Sequence, residues 1–558
     1  MTAPLASRRP AKLVGFAAAA AALLVLGRWV AAGGGDAEPL GGETYFTATS
    51  ASSKEKPDPV KANGTIFKTA AGADWPKPAA TLVFTGEQDG YLEPCGCAGL
   101  TNQKGGLKRR HTFLKQLTAK GWAPLPLDVG GQIKRYGQQA QLKYGSAVGA
   151  LIELGYRGVG FGARDLRMDL LGVAINLDPG ANPLTSANVG LLGFDPSMSA
   201  RWRTAEAGGL KIGFTQVLAD SQAGQTGAGP DTDIEDARSA LRRVTPELQA
   251  EACDHLVLMV YGTSIEARAL AKEFPAYRWV VSAVGADEPP HRIEPIGETG
   301  SYLIQVGHKG MYAVAVGLYP GATPPFRYQK VPLDHRFEDS PEMNRMLARY
   351  QDQLKTLGFD GLGVKPQLHA TAAVTDGKFA GSAACADCHY EEYEIWEKTA
   401  HSHATRSIVD LDPARHFDPE CLSCHATGWN PQKYHPYVTG YLSLDDTPHL
   451  NANGCENCHG PAAKHVAVEN GDFEVTDAEQ EAIYAALHLE IVDNEGNMEG
   501  QSLGKSVNTC LECHDLDNSP DFDFQQYWQL VKHGSRWTDD DDDYNDDDGD
   551  NDEDGDDE

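Results

Sequence analysis

The stretch CADCHYEEYEIWEKTAHSHA, residues 385–404, constrains the fold more than any other part of the chain. Two cysteines and a histidine fall within its first five positions, and this Cys-x-x-Cys-His pattern occurs three more times. The other copies are CLSCH at 421–425, CENCH at 455–459 and CLECH at 510–514. This spacing is the c-type haem attachment signature, in which two thiols bond to one edge of a porphyrin and the adjacent imidazole binds the iron.

Four copies of the motif predict four covalently bound c-type haems. The predicted thioether anchors are Cys385, Cys388, Cys421, Cys424, Cys455, Cys458, Cys510 and Cys513. The predicted proximal iron ligands are His389, His425, His459 and His514. Three other interpretations explain the motif less well. Disulfides do not require a histidine after each second cysteine, a zinc site would have a surplus ligand in each half, and a thioredoxin-like redox pair needs only one copy.

The region is small for its predicted cofactors. Cys385 to His533 is 149 residues for four haems, about 37 each, close to the ~40-residue scale below which a domain needs covalent or metal support. We therefore expect the porphyrins to form the core and haem ligation to be part of folding. A haem with two strong axial ligands has no position for a substrate, so the sixth ligand separates electron transfer from catalysis. Eight histidines here are not proximal: His401, His403, His416, His435, His449, His465, His488 and His533.

Residues 379–535 resemble the small tetrahaem cytochromes that accept electrons from hydroxylamine oxidoreductase, and their relatives fused to other exported domains. The shared features are Trp-x-x-Thr-x-His at 396–401, DPECLSCHATGW at 418–429, GCENCHGPAAKHV at 454–466 and WQLVKHG at 528–534. The resemblance implies a mainly α, haem-packed fold, redox proteins as partners, and a second haem that can be five-coordinate.

By the same resemblance the distal ligands are His401, His465 and His533. His403 would lie 200° around a helix from His401, so only one of the two can face a given iron. Three distal histidines serve four haems, and the histidine at 416, 435, 449 or 488 could instead complete the second haem.

The sequence from Thr81 onward has a different pattern. Short apolar segments such as TLVFTG (81–86) and PLPLDVGG (124–131) alternate with stretches of helical apolar spacing over some 250 residues. Such alternation predicts a layered α/β domain.

Residues 79–330 resemble the exported 5′-nucleotidase-like branch of the metallophosphoesterases. FTGEQDGYLEP (84–94) aligns with the family's Asp-x-His-Gly strand end, LDVGG (127–131) with its Asp-x-x-Asp turn, and VGFGARDL (159–166) with its Asn-His-Glu block. SANV (186–189) matches outright. The resemblance implies a two-layered sandwich and a two-metal phosphoesterase site.

The expected metal ligands, however, are mostly replaced. Glu87 and Asp89 stand at the first Asp and His positions, Gly131 replaces the second Asp, and Ala163 and Arg164 replace the Asn-His pair. Two adjacent divalent metals need a dense set of carboxylate and imidazole ligands. We therefore assign no catalytic residue and expect no hydrolase activity, although Asp128, Glu87, Asp89 and Asn188 could hold one hard cation.

Two further expectations, each with an alternative, concern charged and thiol side chains of this domain. Lys108, Arg109 and Arg110 are predicted to form a solvated helix face, with anion binding as the alternative. Cys95, Cys97 and Cys253 are the thiols outside the haem motifs. One disulfide among them is the default prediction, and metal binding or thiol exchange by the Cys-x-Cys pair is the alternative.

The two ends of the chain carry recognisable signals. Arg8, Arg9 and Lys12 precede an apolar run from Leu13 to Gly27, which is typical of an export signal. If the run continues to about residue 33 it could instead remain as an inner-membrane anchor. At the other end, the last 20 residues hold 15 acidic and no basic side chains, and the whole chain carries −31. This composition predicts a disordered tail and argues against nucleic acid as a partner.

The sequence thus predicts this order: signal peptide or anchor (1–33), flexible spacer (34–76), metallophosphoesterase-like domain (77–335), helical linker (336–378), tetrahaem domain (379–536) and acidic tail (537–558). The predicted function is periplasmic electron transfer between redox proteins, with an electron carrier favoured over an enzyme. The alternatives are a redox enzyme acting on a small nitrogen or sulfur compound at an open second haem, a residual metal-dependent phosphoester hydrolase, and a sensing module in which the haems relay ligand binding.

Overall fold

The computed structural model describes residues 66–68, 72–94, 103–224, 226–489, 505–519 and 522–533. The chain divides into two units, Met1–Lys56 and Pro57–Glu558, and every described residue belongs to the second. The predicted signal or anchor, most of the spacer, the acidic tail, Cys95 and Cys97 lie outside the described residues. Among those that are described, none of the helices has the length and apolar character that crossing a bilayer requires.

Thirteen of the described strands belong to the α/β part. They are β1 (Ala80–Thr85), β2 (Pro124–Asp128), β3 (Gly158–Val159), β4 (Val189–Leu191), β5 (Arg203–Ala207), β6 (Leu210–Leu218), β7 (Thr232–Ile234), β8 (His255–Thr263), β9 (Trp279–Val284), β10 (Glu294–Pro295), β11 (Tyr302–Gln305), β12 (Tyr312–Leu318) and β13 (Phe326–Pro332). One sheet has the order β13-β12-β1-β2-β3, and a second has the order β10-β11-β9-β8-β6-β5. The strands β4 and β7 pair separately.

Both sheets combine parallel and antiparallel strands: the first has antiparallel strands at one edge and the second at both edges. In the first, β1, β2 and β3 are parallel, and β12 and β13 add antiparallel strands. In the second, β6, β8, β9 and β11 are parallel, between antiparallel β5 and β10. Parallel neighbours need crossover connections, which are usually helical. The helices of this part are α1 (Leu107–Ala119), α2 (Gln138–Glu153), α3 (Leu170–Ala174), α4 (Asp220–Ala223), α5 (Ala237–Ala250) and α6 (Ser264–Glu273).

The strand β8 shows how the layers are assembled. Its residues Val257 and Met259 face one hydrophobic cluster, which also contains β1 and the helices α1 and α2. The alternate residues Leu256, Leu258 and Val260 face a second cluster, formed with α5 and α6. Because successive side chains of a strand point to opposite faces, the six-stranded sheet is covered on both sides. The predicted layered α/β domain is confirmed.

A long helix follows the last strand of this part. The predicted helical linker (336–378) contains α7 (Pro341–Gly361), which packs against α1 and α2. Met343, Leu347, Tyr350 and Leu354 of α7 belong to the same cluster as the five-stranded sheet. The segment predicted as a linker therefore contributes to the core of the α/β part.

The C-terminal part is mostly helical. Its helices are α8 (Ala372–Thr375), α9 (Tyr390–Glu397), α10 (Ala404–Val409), α11 (Pro419–His425), α12 (Cys455–His459), α13 (Ala463–Glu469), α14 (Asp477–Leu487), α15 (Lys505–Cys513) and α16 (Phe524–Val531). A two-stranded ladder joins β14 (Trp429–Asn430) to β15 (His435–Pro436). The fully buried members of its hydrophobic cluster are Phe379, Ile408, Leu422, Ala426, Trp429, Tyr441 and Leu450.

Candidate functional site

The four Cys-x-x-Cys-His motifs lie on or beside short helices. The second and third motifs fall within α11 and α12, and the fourth ends α15. The first follows a 3₁₀ turn at Ser382–Ala384 and precedes α9. In α11 the Asp418 side chain caps the helix by accepting from the Glu420 amide, and Pro419 occupies the first turn. Helical geometry places residues i, i+3 and i+4 on one face, so both cysteines and the histidine of a motif can address one porphyrin.

The structure brings the predicted axial histidines together in three pairs. The ring centres of His389 and His465 are 6.4 Å apart, and those of His459 and His533 are 5.9 Å apart. The third pair, His514 with His401, is separated by 6.0 Å. Each pair joins one predicted proximal and one predicted distal histidine.

These spacings fit the group that the motifs imply. Two imidazoles bound on opposite sides of one metal ion through bonds of about 2 Å have ring centres about 6 Å apart. The structure thus places one predicted distal histidine beside the histidine of each of three motifs, a pairing that no local sequence pattern indicates. Burial lowers the pKa of His401 to about 4, with smaller effects from His514 and His425. A neutral imidazole is the form that binds a metal.

Hydrogen bonds at Nδ1 orient several of these imidazoles and leave Nε2, the other ring nitrogen, for a metal. The Nδ1 atoms of His425 and His459 lie 2.8 and 2.9 Å from the carbonyl oxygens of Ala404 and Leu487. The Nδ1 of His533 lies 2.8 Å from the carbonyl oxygen of Val531. A carbonyl can only accept, so each Nδ1 carries the proton and Nε2 is left for a metal. The donor set therefore fits haem iron.

The proximal histidine predicted for the second haem is His425, whose Nδ1 contacts the carbonyl oxygen of Ala404. The other candidates for the sixth ligand of its haem have neighbours of their own. The His416 ring contacts Phe417, and the His435 ring contacts Tyr437. His403 is exposed, whereas His401 is the one that meets His514. A five-coordinate second haem stays a prediction.

The motifs also group into neighbouring pairs. Contact with the Cys455 thiol is the main cause that raises the pKa of Cys385, and the same contact lowers that of Cys455 to about 7. Contact with Cys424 is likewise the main cause that raises the pKa of Cys513. The first motif is therefore adjacent to the third, and the second to the fourth.

Glu456, inside the third motif, joins it to the segment that precedes the first. Its carboxylate accepts hydrogen bonds from the backbone amides of Ala380, Gly381 and Ala462 at 2.9, 2.8 and 2.8 Å. The Ser382 hydroxyl, on the same segment, accepts from the Cys455 amide at 3.1 Å. This role of Glu456 could not be predicted from the sequence, because two of its three partners are backbone amides distant in the chain.

In the α/β part, the residues expected to hold a cation already have protein partners. Asp128 accepts from Thr85 Oγ1 at 2.6 Å, from the Gly130 amide at 2.9 Å and from Gln132 Nε2 at 2.7 Å. The Asn188 amide donates to the carbonyl oxygens of Leu218 and Glu235. Over the part of the chain that is described, no group of three or more His, Cys, Asp or Glu side chains is arranged to hold a metal ion. The structure gives no support to the predicted cation site.

Two guanidinium groups lie beside the carboxylates that were expected to hold a cation. Arg110 is fully buried, and its Nη1 lies 3.9 Å from Asp128 Oδ2. Arg164 Nη1 lies 3.5 Å from Asp89 Oδ1. The prediction that Lys108, Arg109 and Arg110 form a solvated face is wrong, since all three are buried. The reason is that acidic groups on neighbouring segments form ion pairs with α1. For example, Lys108 Nζ lies 2.5 Å from Glu93 Oε1.

Gly131 explains why a second metal ligand is absent. Its φ is +85°, and an added Cβ would lie 2.8 Å from Glu87 Oε1 and 3.1 Å from the Tyr261 ring. An aspartate at this position would therefore be both strained and crowded. Burial, with a further effect of Asp89, raises the pKa of Glu87 to about 8, and burial raises that of Asp165 to about 7. The region around Glu87 is a packed cluster of carboxyls and cationic groups.

Comparisons with known proteins separate the two parts. Residues 384–460 match the family described as "Cytochrome c554 and c-prime", a match that includes the first three motifs. Cytochrome c-554 of Nitrosomonas europaea is 32% identical over 99 residues, covering 15% of this chain and 40% of that protein. The chain thus spans 40% of the length of this curated relative. The predicted resemblance of the C-terminal part to these cytochromes is confirmed.

Solved structures similar to the chain include two from Thermus thermophilus. Sulfate thiohydrolase SoxB, in complex with glycerol, aligns with a TM-score of 0.43 and 13% identity, over 51% of this chain and 63% of that chain. A 5′-nucleotidase precursor aligns with a TM-score of 0.42 and 15% identity, over 76% of this chain and 98% of that chain.

Proposed function

We propose that this protein carries electrons between redox partner proteins through four covalently bound c-type haems in its C-terminal part. When bound, each haem supplies an iron that changes oxidation state by one electron. The proposed roles follow the motifs: the eight motif cysteines are thioether anchors, and His389, His425, His459 and His514 are proximal ligands. His465, His533 and His401 are the distal ligands of the first, third and fourth haems.

The observation that carries the proposal is the set of three histidine pairs with ring centres 5.9–6.4 Å apart. Two strong axial ligands leave an iron no position for a substrate, which favours electron transfer over catalysis at those three haems. The carbonyl partners of Nδ1 fix the rings of His459 and His533 in the orientation that presents Nε2. The adjacency of motifs one and three, and of two and four, supports transfer from haem to haem.

The proposal extends to the rest of the chain. The α/β part acts without phosphoester hydrolase activity, because the carboxylates left at its metal position are bonded to protein groups or neutralised by Arg110 and Arg164. The N-terminal segment directs export to the periplasm, where c-type haems are attached, and either is cleaved or anchors the chain. The domain boundaries predicted from the sequence belong to the same proposal.

The test of this function combines a pyridine haemochrome assay with an intact mass and an anaerobic redox titration. We expect four haems per chain, at least three of them low-spin. A phosphoesterase assay with Mn²⁺ should give no turnover. Turnover that Glu87→Ala abolishes would instead support the residual hydrolase.

A second candidate function is a redox enzyme that acts on a small nitrogen or sulfur compound at the second haem. It is favoured by the resemblance of residues 418–429 to cytochromes whose second haem can be five-coordinate. Added cyanide or nitric oxide separates the two functions, because an iron with an open position binds either ligand and changes its spectrum. A spectrum of low-spin haem that neither ligand alters would exclude the enzyme.

A further inference from the structure

Ion pairs join the α/β part to the C-terminal part along one surface, with cations on the α/β side and carboxylates opposite. Lys143 Nζ lies 2.5 Å from Glu420 Oε2, and Arg135 Nη1 lies 3.5 Å from Glu420 Oε1. Lys309 Nζ lies 2.5 Å from Asp517 Oδ1, and Lys134 pairs with the other oxygen of the same carboxylate. Four cations thus face two carboxylates across this surface.

The carboxylates of this surface flank two of the four haem motifs. Glu420 directly precedes Cys421 of the second motif, and Asp517 follows His514 of the fourth by three residues. The α11 capping residue Asp418 also accepts from Gln139 of α2 at 2.6 Å and from Gln351 of α7 at 3.1 Å. Helix α11, which carries the second motif, is therefore held at its N-terminal end by helices of the α/β part.

Further contacts cover the loop that follows the second motif. The Arg135 guanidinium stacks over the Tyr434 ring, 3.5 Å from its centre, and also donates to the Tyr434 hydroxyl. Arg415, just before α11, pairs with Glu93 of the α/β part. In contrast, Cys388 and His389 of the first motif are exposed.

On the α/β side, this surface is the edge of the former metal position. The Lys309 amide donates to Asp89 Oδ2 at 3.3 Å, while its ammonium group reaches Asp517. Lys134 follows the 131–133 turn, whose amides bind Asp165. Although burial opposes ionisation of Asp517, its hydrogen bonds to Lys134 and Lys309 lower its pKa to about 2. The edge that would hold metals in the resembled phosphoesterases therefore presents cations to the haem-binding part.

We infer that the α/β part is an internal docking partner of the second and fourth haem sites, with its former metal-binding edge converted into the docking surface. Docking holds α11 and the segment after His514 in place, and it sets the electrostatic environment of these two haems. The inference rests on the proposed four-haem function.

The experiment uses the full-length, haem-loaded protein and reverses the charges of the two lysines that pair with Asp517. In Lys134→Glu/Lys309→Glu, three carboxylates would face one another, and like charges at an interface oppose docking. We expect amide hydrogen exchange in 418–425 and 510–519 to become at least tenfold faster. We also expect the midpoint potentials of two haems to fall, since replacing cations by anions disfavours an added electron, while the other two stay unchanged.

The matched control is Arg238→Glu/Arg242→Glu, which reverses two charges on exposed side chains of α5 and should change neither readout. Adding Asp517→Lys to the first variant restores opposite charges and should return exchange and potentials toward those of the parent. If the double variant does not fold, recovery of folding in this triple variant supports docking, and failure to recover overturns it.

The haem count of the parent distinguishes the two possible failures. A parent protein with fewer than four haems would overturn the proposed function. A four-haem parent whose double variant keeps parental exchange rates and potentials would overturn the docking inference alone.

Discussion

The two parts of the molecule form their cores in different ways. In the α/β part every residue of β1 and β12 is buried, and one apolar cluster links both sheets to α1, α2 and α7. The fully buried cluster of the C-terminal part has seven members among its described residues, and Leu511, Leu516 and Leu530 of that part are exposed. We therefore expect that apolar side chains suffice to specify the first part, and we propose that the second depends on bound haem.

The largest expected effect comes from withholding haem. A chain produced without a haem-ligation system should keep a folded α/β part, while the helices from α9 to α16 lose their amide protection by at least a hundredfold. The reason is that the haems supply most of the core that these helices pack on. Hydrogen exchange followed by mass spectrometry measures both parts in one experiment.

Cysteine substitutions provide the control for this comparison. Cys455→Ala/Cys458→Ala should remove one haem and loosen the C-terminal part, whereas Cys253→Ala in the α/β part should remove none. Protected amides in α11 and α12 of a haem-free chain would mean that the apolar cluster is enough, and the contrast between the two parts would fail.

The next effect concerns one iron. His401→Ala should convert one low-spin haem to high-spin, because His401 faces His514 at 6.0 Å. His403→Ala, two residues away and exposed, is the matched control and should leave the spectrum unchanged. Electron paramagnetic resonance counts the spin states. An unchanged low-spin signal in His401→Ala would mean that another residue completes the fourth haem.

A smaller effect is expected at the buried guanidinium of Arg110, which lies beside Asp128. Arg110→Leu leaves the buried Asp128 without its cation, and breaking a buried pair in this way costs about 3–5 kcal/mol in the free energy of unfolding. The control Arg243→Leu breaks an exposed pair with Glu235 and should cost at most about 1 kcal/mol. Urea unfolding of the α/β part measures both. Equal costs would show that Arg110 does not compensate Asp128.

The smallest effect depends on pH. The pKa of Glu87 is raised from its ordinary 4.5 to about 8, first by burial and then by Asp89, so folding favours the protonated carboxyl. Its contribution to stability is fully present below pH 4.5 and is lost as the pH rises through about 8. Glu87→Gln should therefore stabilise the α/β part at pH 9 by roughly 2–4 kcal/mol relative to its effect at pH 4.

Unfolding measured at the two pH values tests this prediction. Asp165, whose pKa is raised to about 7, gives a residual pH dependence of the same sign in the variant. A variant that gains no stability relative to the parent between pH 4 and pH 9 would mean that Glu87 is ionised without penalty in the folded protein.

Local spacing made much of this architecture predictable. The Cys-x-x-Cys-His motif is a pattern of five adjacent residues, and alternating strands and helices are visible in short windows of sequence. The tertiary contacts could not be predicted from the sequence. His401 pairs with His514 across more than a hundred residues of chain, and no local pattern encodes that contact.

The burial of the basic run at Lys108–Arg110 has the same explanation. A run of Lys and Arg on a helix indicates a solvated face unless the acidic groups that meet it are known. Here those groups are Glu93 and Asp128, which lie on other elements. The ion pairs of Lys143 with Glu420 and of Lys309 with Asp517 were hidden in the same way, since each joins residues of different parts.

The most direct test of the account is the number and spin state of the haems in the full-length protein after maturation by a competent haem-ligation system. The account predicts four haems per chain by pyridine haemochrome assay and intact mass, with at least three low-spin irons by electron paramagnetic resonance. Fewer than four haems per chain, or fewer than three low-spin irons, would contradict it.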